Sequence, residues 1–168
     1  MNAFEQLLAG GDFRTIGNSN RVVGLVQNQK DFDELFALMF NASRLVVMRA
    51  ADAVEKITIH FPQYLAKHKT EIFALSKTVK NKELQWHLAL ILPRIKMDGD
   101  EFNFAWGTLM TWAKDQNNSK IVRVNSIQAL FELDKQNKKF AKDFHQLIGE
   151  LEQENIPSIN ARVKKINN

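Results

Sequence analysis

Small and apolar residues recur along 43–57 at Val47, Ala50, Ala51, Val54 and Ile57, a spacing that gathers them on one face of a helix. The same template begins again at residue 81 as NKELQWHLALILPRI and at residue 119 as SKIVRVNSIQALFEL, a period of thirty-eight residues. An amphipathic stretch precedes each copy. Asp31 is placed to cap a helix through Phe40, with Phe32, Leu35, Phe36 and Met39 on one side and Asn41-Ala42 as the turn. Phe61-Pro62 opens the next stretch, a helix over 63–78, because proline is tolerated in a first helical turn. Lys80-Asn81-Lys82 makes its turn, and Pro93 should kink or end the following helix within its last turn. Asp98-Gly99-Asp100 forms a turn and cap before an aromatic helix over 101–114, and Ser119 caps a helix over 120–134.

The two ends follow the same habit less regularly. A short helix over 2–8 is stopped by Gly10-Gly11, residues 12–17 connect, and 18–27 form another helix. Residues 140–154 are amphipathic through Phe144, Leu147, Ile148 and Leu151, and Pro157 starts a last short helix near the end. No alternating strand pattern extends beyond a few residues. The expectation is therefore a single all-α domain over 1–168, about nine helices in antiparallel pairs. Clear repeats lie at 31–57, 61–95 and 99–134, with capping helices at 1–28 and 140–166.

The third copy carries Arg123-x-x-Ser126-x-x-Ala129-Leu130, and with the period it resembles the second helix of a HEAT repeat. Val47 and Gln85 occupy the place of Arg123 in the earlier copies, and an acidic residue near the inter-helix turn is met only at Asp115. The resemblance implies a short right-handed α-α superhelix, a HEAT-like solenoid, whose second helices line a concave surface offered to a protein or a nucleic acid.

Composition changes this picture little. No run of about 18 apolar residues is present, so no membrane span is expected, and the start lacks the basic and apolar regions of a signal peptide. Zero Cys removes disulfides and thiolate chemistry and favours an intracellular, cytoplasmic setting. The net charge of +4 is uneven, with −2 over 1–55 and +6 over 56–168. A basic second half can attract nucleic acid or an acidic protein, or form an ordinary solvated surface.

Catalytic chemistry finds little footing. His60, His68, His87 and His145 make no i,i+4 pair and no H-E-x-x-H, and neither a phosphate-binding glycine loop nor a G-x-S-x-G turn occurs. Asp31/Asp33 and Asp98/Asp100 sit where helix caps are expected. No cofactor, metal or small-molecule substrate is expected. HEAT-like alkylpurine DNA glycosylases use a basic groove with a Trp and an Asp near the lesion. This chain has Trp86, Arg49 and Asp52, but the residue four after Trp86 is Leu90 and not an aspartate.

At about 100° per residue, Arg49, Asp52 and Lys56 lie opposite the apolar face of the first template. Their counterparts are His87, Leu90 and Arg94 in the second copy and Asn125, Gln128 and Glu132 in the third. Stacked helices would align these as an exposed grid, able to hold carboxylate or phosphate through the arginine forks. Alternatively Arg49 pairs with Asp52 or Glu83 on a merely solvated face, and Leu90 is covered by a neighbouring helix. Aromatics at helical spacing suit the core, and Trp86 matches Met48 and Val124 in the other copies, a packing position; beside His87 it is also the aromatic best placed for exposed stacking, while Trp106 and Trp112, six apart, share no tight stripe. The leading reading is a non-enzymatic interaction scaffold using Arg49, Asp52, Lys56, His87, Leu90, Arg94, Asn125 and Gln128. Nucleic-acid binding is the competing reading, and self-assembly within a larger complex a third.

Overall fold

The computed structural model describes residues 3–11 and 17–167; the connector expected at 12–17 falls, apart from Gly17, outside them. Every regular element among the described residues is helical. In chain order they are α1 (Ala3–Leu8), α2 (Ser19–Leu25), α3 (Gln29–Ala37), α4 (Arg44–His60), α5 (Lys69–Thr78), α6 (Lys82–Ile91), α7 (Gly99–Lys114), α8 (Lys120–Gln136), α9 (Ala141–Gln153) and α10 (Pro157–Asn167). Short 3-10 turns cover Leu38–Phe40, Pro62–His68, Leu92–Arg94 and Lys138–Phe140.

Local chemistry explains where these elements begin and stop. α7 starts with a capping box. The Asp98 carboxylate accepts from the Asp100 and Glu101 N–H groups at 3.0 and 2.9 Å, and Glu101 accepts from the Asp98 N–H at 2.8 Å. α8 is capped by Ser119, whose hydroxyl accepts from the Val122 N–H at 3.3 Å. α3 begins before Asp31, because the Asn28 side chain takes the capping role and accepts from the Asp31 N–H at 3.1 Å. Pro93 acts as expected: α6 ends at Ile91 and the chain tightens into a 3-10 turn. Pro62 departs from expectation, opening a 3-10 segment over Pro62–His68 before α5 forms.

The chain divides into two compact units, Met1–Thr70 and Glu71–Asn168, so the repeat read at 61–95 is shared between them. In the first unit α4 is the central helix: α1, α2, α3 and the turns Leu38–Phe40 and Pro62–His68 all pack on it. Its buried residues include Val46, Val47, Ala50, Ala51, Val54 and Ile57, with alanines letting neighbours approach closely. Phe32 and Phe36 add aromatic contacts, Phe36 stacking on His68 with ring centroids 4.0 Å apart.

In the second unit α8 holds the central place, packed by α6, α7, α9 and α10. It buries Val122, Ile127, Ala129, Leu130 and Leu133. An aromatic cluster joins α7 to the following segment: Phe140 stacks on Trp106 at 5.1 Å and on Phe102 at 6.3 Å between centroids. Trp106 and Trp112 are buried, and Trp86 is half-buried.

Two measurements follow from these local arrangements. Asp98→Ala removes both acceptor contacts of the α7 cap, and urea denaturation should show a loss of about 1 kcal/mol. Asp33 links stability to pH. Burial alone would raise its carboxyl pKa, but hydrogen bonds from Gln29 (2.6 Å) and His68 (2.8 Å) and the charge of Lys67 outweigh burial and hold it below the ordinary aspartate value. A depressed carboxyl stabilises the fold fully above its unfolded pKa and loses that contribution as pH falls through the folded value. The urea midpoint of the wild type should therefore exceed that of Asp33→Asn at about pH 6, and the gap should shrink at about pH 2. A gap independent of pH would contradict this assignment.

Candidate functional site

The expected grid residues of α4 have structural duties within the first unit. Arg49 was expected to be exposed, but it is only 2% exposed. Its guanidinium donates through Nη1 to the Leu8 carbonyl at 2.8 Å and the Gly10 carbonyl at 2.5 Å. Gly17 has φ +54°, which side chains rarely adopt, and lies so close that an added Cβ would meet Arg49 Cζ at 2.7 Å, so a side chain there would be strained and would displace the guanidinium. Asp52 is also buried, accepting from the Ser19 hydroxyl and pairing with Lys56 at 2.7 Å. Lys56 is half-buried and donates in addition to Asn20 Oδ1 at 2.8 Å. The exposure expected of Arg49 and Asp52 fails for one reason. α4 is covered by helices on the polar side of its wheel as well as the apolar side, and the polar residues there bond to those neighbours.

His87 is a second correction, being 7% exposed rather than presented to solvent. Asn125 is half-buried and donates to the Trp86 carbonyl at 3.3 Å, which ties α8 to α6. The remaining three expected residues do come together. Leu90, Arg94 and Gln128 line one cavity of about 290 Å³ between α6, its terminal 3-10 turn and α8. Pro93 and Ala129 add apolar wall, while Glu132 and Gln136 add polar groups.

The polar lining is already organised. Gln128 donates to Glu132 at 2.8 Å, one and a bit turns along α8. Gln136 donates to the Pro93 carbonyl at 2.8 Å, using the acceptor exposed where proline breaks the helix. Arg162 of α10 donates to Gln128 Oε1 at 2.6 Å and so ties a third helix to a residue that lines the cavity. Sequence reasoning missed Arg162, although a signal existed: α10 begins at Pro157, one further period of thirty-eight beyond Ser119. Chemically the cavity offers an apolar side made by Leu90, Pro93 and Ala129, an arginine fork, a carboxylate and two amides. That mixture suits a polypeptide segment carrying both apolar and charged side chains.

Comparison with known proteins finds no matching family model, no matching curated protein and no matching solved structure. Among the described residues no helix is long and apolar enough to cross a membrane, and no group of three His, Cys, Asp or Glu is placed to hold a metal ion.

Stability measurements separate the two kinds of residue. Arg49→Met leaves two carbonyls without their cationic donor and should cost about 3 kcal/mol. Gln128→Ala, at a half-buried position in the cavity wall, should cost under about 1 kcal/mol. Equal losses in chemical denaturation would show that Gln128 is as structural as Arg49.

Proposed function

We propose that this chain is a non-enzymatic, HEAT-like interaction module, a short right-handed stack of helix pairs that offers second helices to a protein partner. The observation that carries the reading is the cavity shared by Leu90, Arg94 and Gln128, which two helices one period apart place together. Support also comes from the packing of α8 against both α6 and α10, the three helices that begin at residues 82, 120 and 157. Recognition works through apolar contact with Leu90, Pro93 and Ala129 and through charge-assisted bonds to Arg94 and Glu132. The absence of Cys suits an intracellular, cytoplasmic setting.

Nucleic-acid binding is the second reading. Lys114 pairs with Glu150 at 3.0 Å, Lys138 with Asp134 at 2.6 Å, and Arg123 with Glu154 at 2.8 Å, but residues 56–168 keep a net charge of +6 with every carboxylate counted.

A photo-crosslinking amino acid placed at position 90 tests the site, with position 142, exposed on α9, as the control. The expected outcome is a discrete polypeptide captured at 90 and not at 142, and lost when Arg94→Glu is added. Equal capture at both positions would overturn the site. Titration of single- and double-stranded DNA and RNA between about 50 and 200 mM salt tests the competing reading. Micromolar binding that falls steeply with salt would replace a protein partner with a nucleic acid.

A further inference from the structure

The positive charge of the second unit is gathered at one end. Residues 134–145 and α10 together hold seven Lys/Arg and two Asp/Glu, so they carry five of the six net charges of residues 56–168. The fold brings these segments together. Asp134, Lys138 and His145 line one cavity with Ile166 and Asn167, so the end of α8, the first half of α9 and the end of α10 meet.

This lysine-rich end adjoins the α6–α8 cavity. Glu132 and Gln136 of the cavity wall stand on the last turns of α8, on either side of Asp134 in the chain. Lys135 pairs with Glu132 at 3.6 Å and so answers the carboxylate of that wall. Lys138 likewise answers Asp134 at 2.6 Å. Arg162 differs, because its bond to Gln128 is to an uncharged amide and leaves its charge unbalanced by that contact. Lys164 and Lys165 follow it, exposed, on α10. A partner seated in the cavity therefore meets a net positive field where it leaves, and complementary charge is favoured there.

Polypeptides and nucleic acids can both carry that charge, and the cavity distinguishes them. Phosphates repeat at every nucleotide, whereas the wall combines the Glu132 carboxylate with apolar Leu90, Pro93 and Ala129. A polypeptide can set an apolar side chain in the cavity and place its charges beyond it. Base stacking also lacks a platform. None of the cavity's lining residues is aromatic, and the half-buried Phe131 and Phe140 already carry Lys135 and Lys139 over a ring face at 5.2 and 5.0 Å.

Taking the partner surface proposed above as the basis, we infer that the partner is an acidic polypeptide. An aliphatic side chain of the segment enters the α6–α8 cavity, and its carboxylates lie over the last turns of α8 and α10, against Arg162, Lys164 and Lys165 and short of Lys142 on α9. Ala129 and Gln136 stand seven residues apart on α8, about 10 Å along its axis, which about three residues of extended chain span. The acidic residues should begin at that distance from the aliphatic anchor.

The test is selection of a phage-displayed library of random peptides, about twelve residues long, on the immobilised full chain. Recovered sequences should carry aspartate and glutamate about threefold or more in excess of lysine and arginine. A synthetic copy should lose about tenfold in affinity on Lys164→Glu/Lys165→Glu, whose exposed positions leave the helical circular-dichroism spectrum unchanged, and should also weaken on Leu90→Ala. Neutral or basic sequences that need Leu90, or acidic ones indifferent to the lysine reversal, would overturn the acidic partner and leave the partner surface standing. Sequences indifferent to Leu90→Ala, or no enrichment at all, would overturn that surface and the acidic partner with it. A single-stranded oligonucleotide of about twenty nucleotides that binds more tightly than the recovered peptide, and is weakened by the same lysine reversal, would give the lysine-rich end to nucleic acid instead.

Discussion

A guanidinium buried against the carboxyl end of another helix is the contact on which each unit depends. The last carbonyls of a helix have no partner within it and carry the negative end of its dipole, so a cationic donor answers both needs at once. Arg49 does this at the end of α1, bonding the Leu8 and Gly10 carbonyls. Arg123 does it near the end of α7, where Nε donates to the Ala113 carbonyl at 2.8 Å, while Nη2 pairs with Glu154 just beyond α9. Both arginines are 2% exposed, and both sit on the helix around which the rest of their unit packs. A buried charge of this kind is tolerated only because its donors are bonded, which makes the neighbouring chain positions part of the same constraint. Gly17 shows this most directly, since its missing Cβ is the space that the Arg49 guanidinium occupies.

That role also explains a mismatch in register. The period places Arg123 opposite Val47 of the first copy, whereas the arginine with the equivalent duty is Arg49, two residues later. Two residues are about 200° around a helix, so the two side chains leave their helices in different directions. In both cases the donor meets a carbonyl at or near the end of another helix. A pattern read residue by residue cannot register such an equivalence, since what is shared is a donor at a helix terminus and not a sequence position.

Much of the architecture was legible because it rests on local signals. The cap at Asp98, the break at Pro93 and the aromatic residues of α7 each act within a turn or two of where they stand. The site was legible only in part. Leu90, Arg94 and Gln128 share a cavity because the helix wheel holds where one side of a helix stays open. The wheel fails for Arg49 and Asp52, since it assumes one buried side, and α4 is packed by α1, α2, α3 and two 3-10 turns; His87 of α6 is buried as well. Asp52 illustrates the cause: its partner Ser19 is thirty-three residues away, and no feature near Asp52 announces it.

The polar groups of the α6–α8 cavity bear on how a partner would be chosen. Gln128 already holds both Glu132 and Arg162, and Gln136 holds the Pro93 carbonyl. A ligand entering there exchanges one set of hydrogen bonds for another, so those groups add little net affinity, and the apolar surface of Leu90, Pro93 and Ala129 must supply most of it. A wrong ligand, however, separates the amides from their partners without replacing them, and each such loss is costly in a half-buried place. The same network that limits affinity thus raises discrimination, because a poor match is penalised more than a good match is rewarded. A cavity built in this way favours selective, reversible contact over tight capture, which is the balance the proposed interaction module would need.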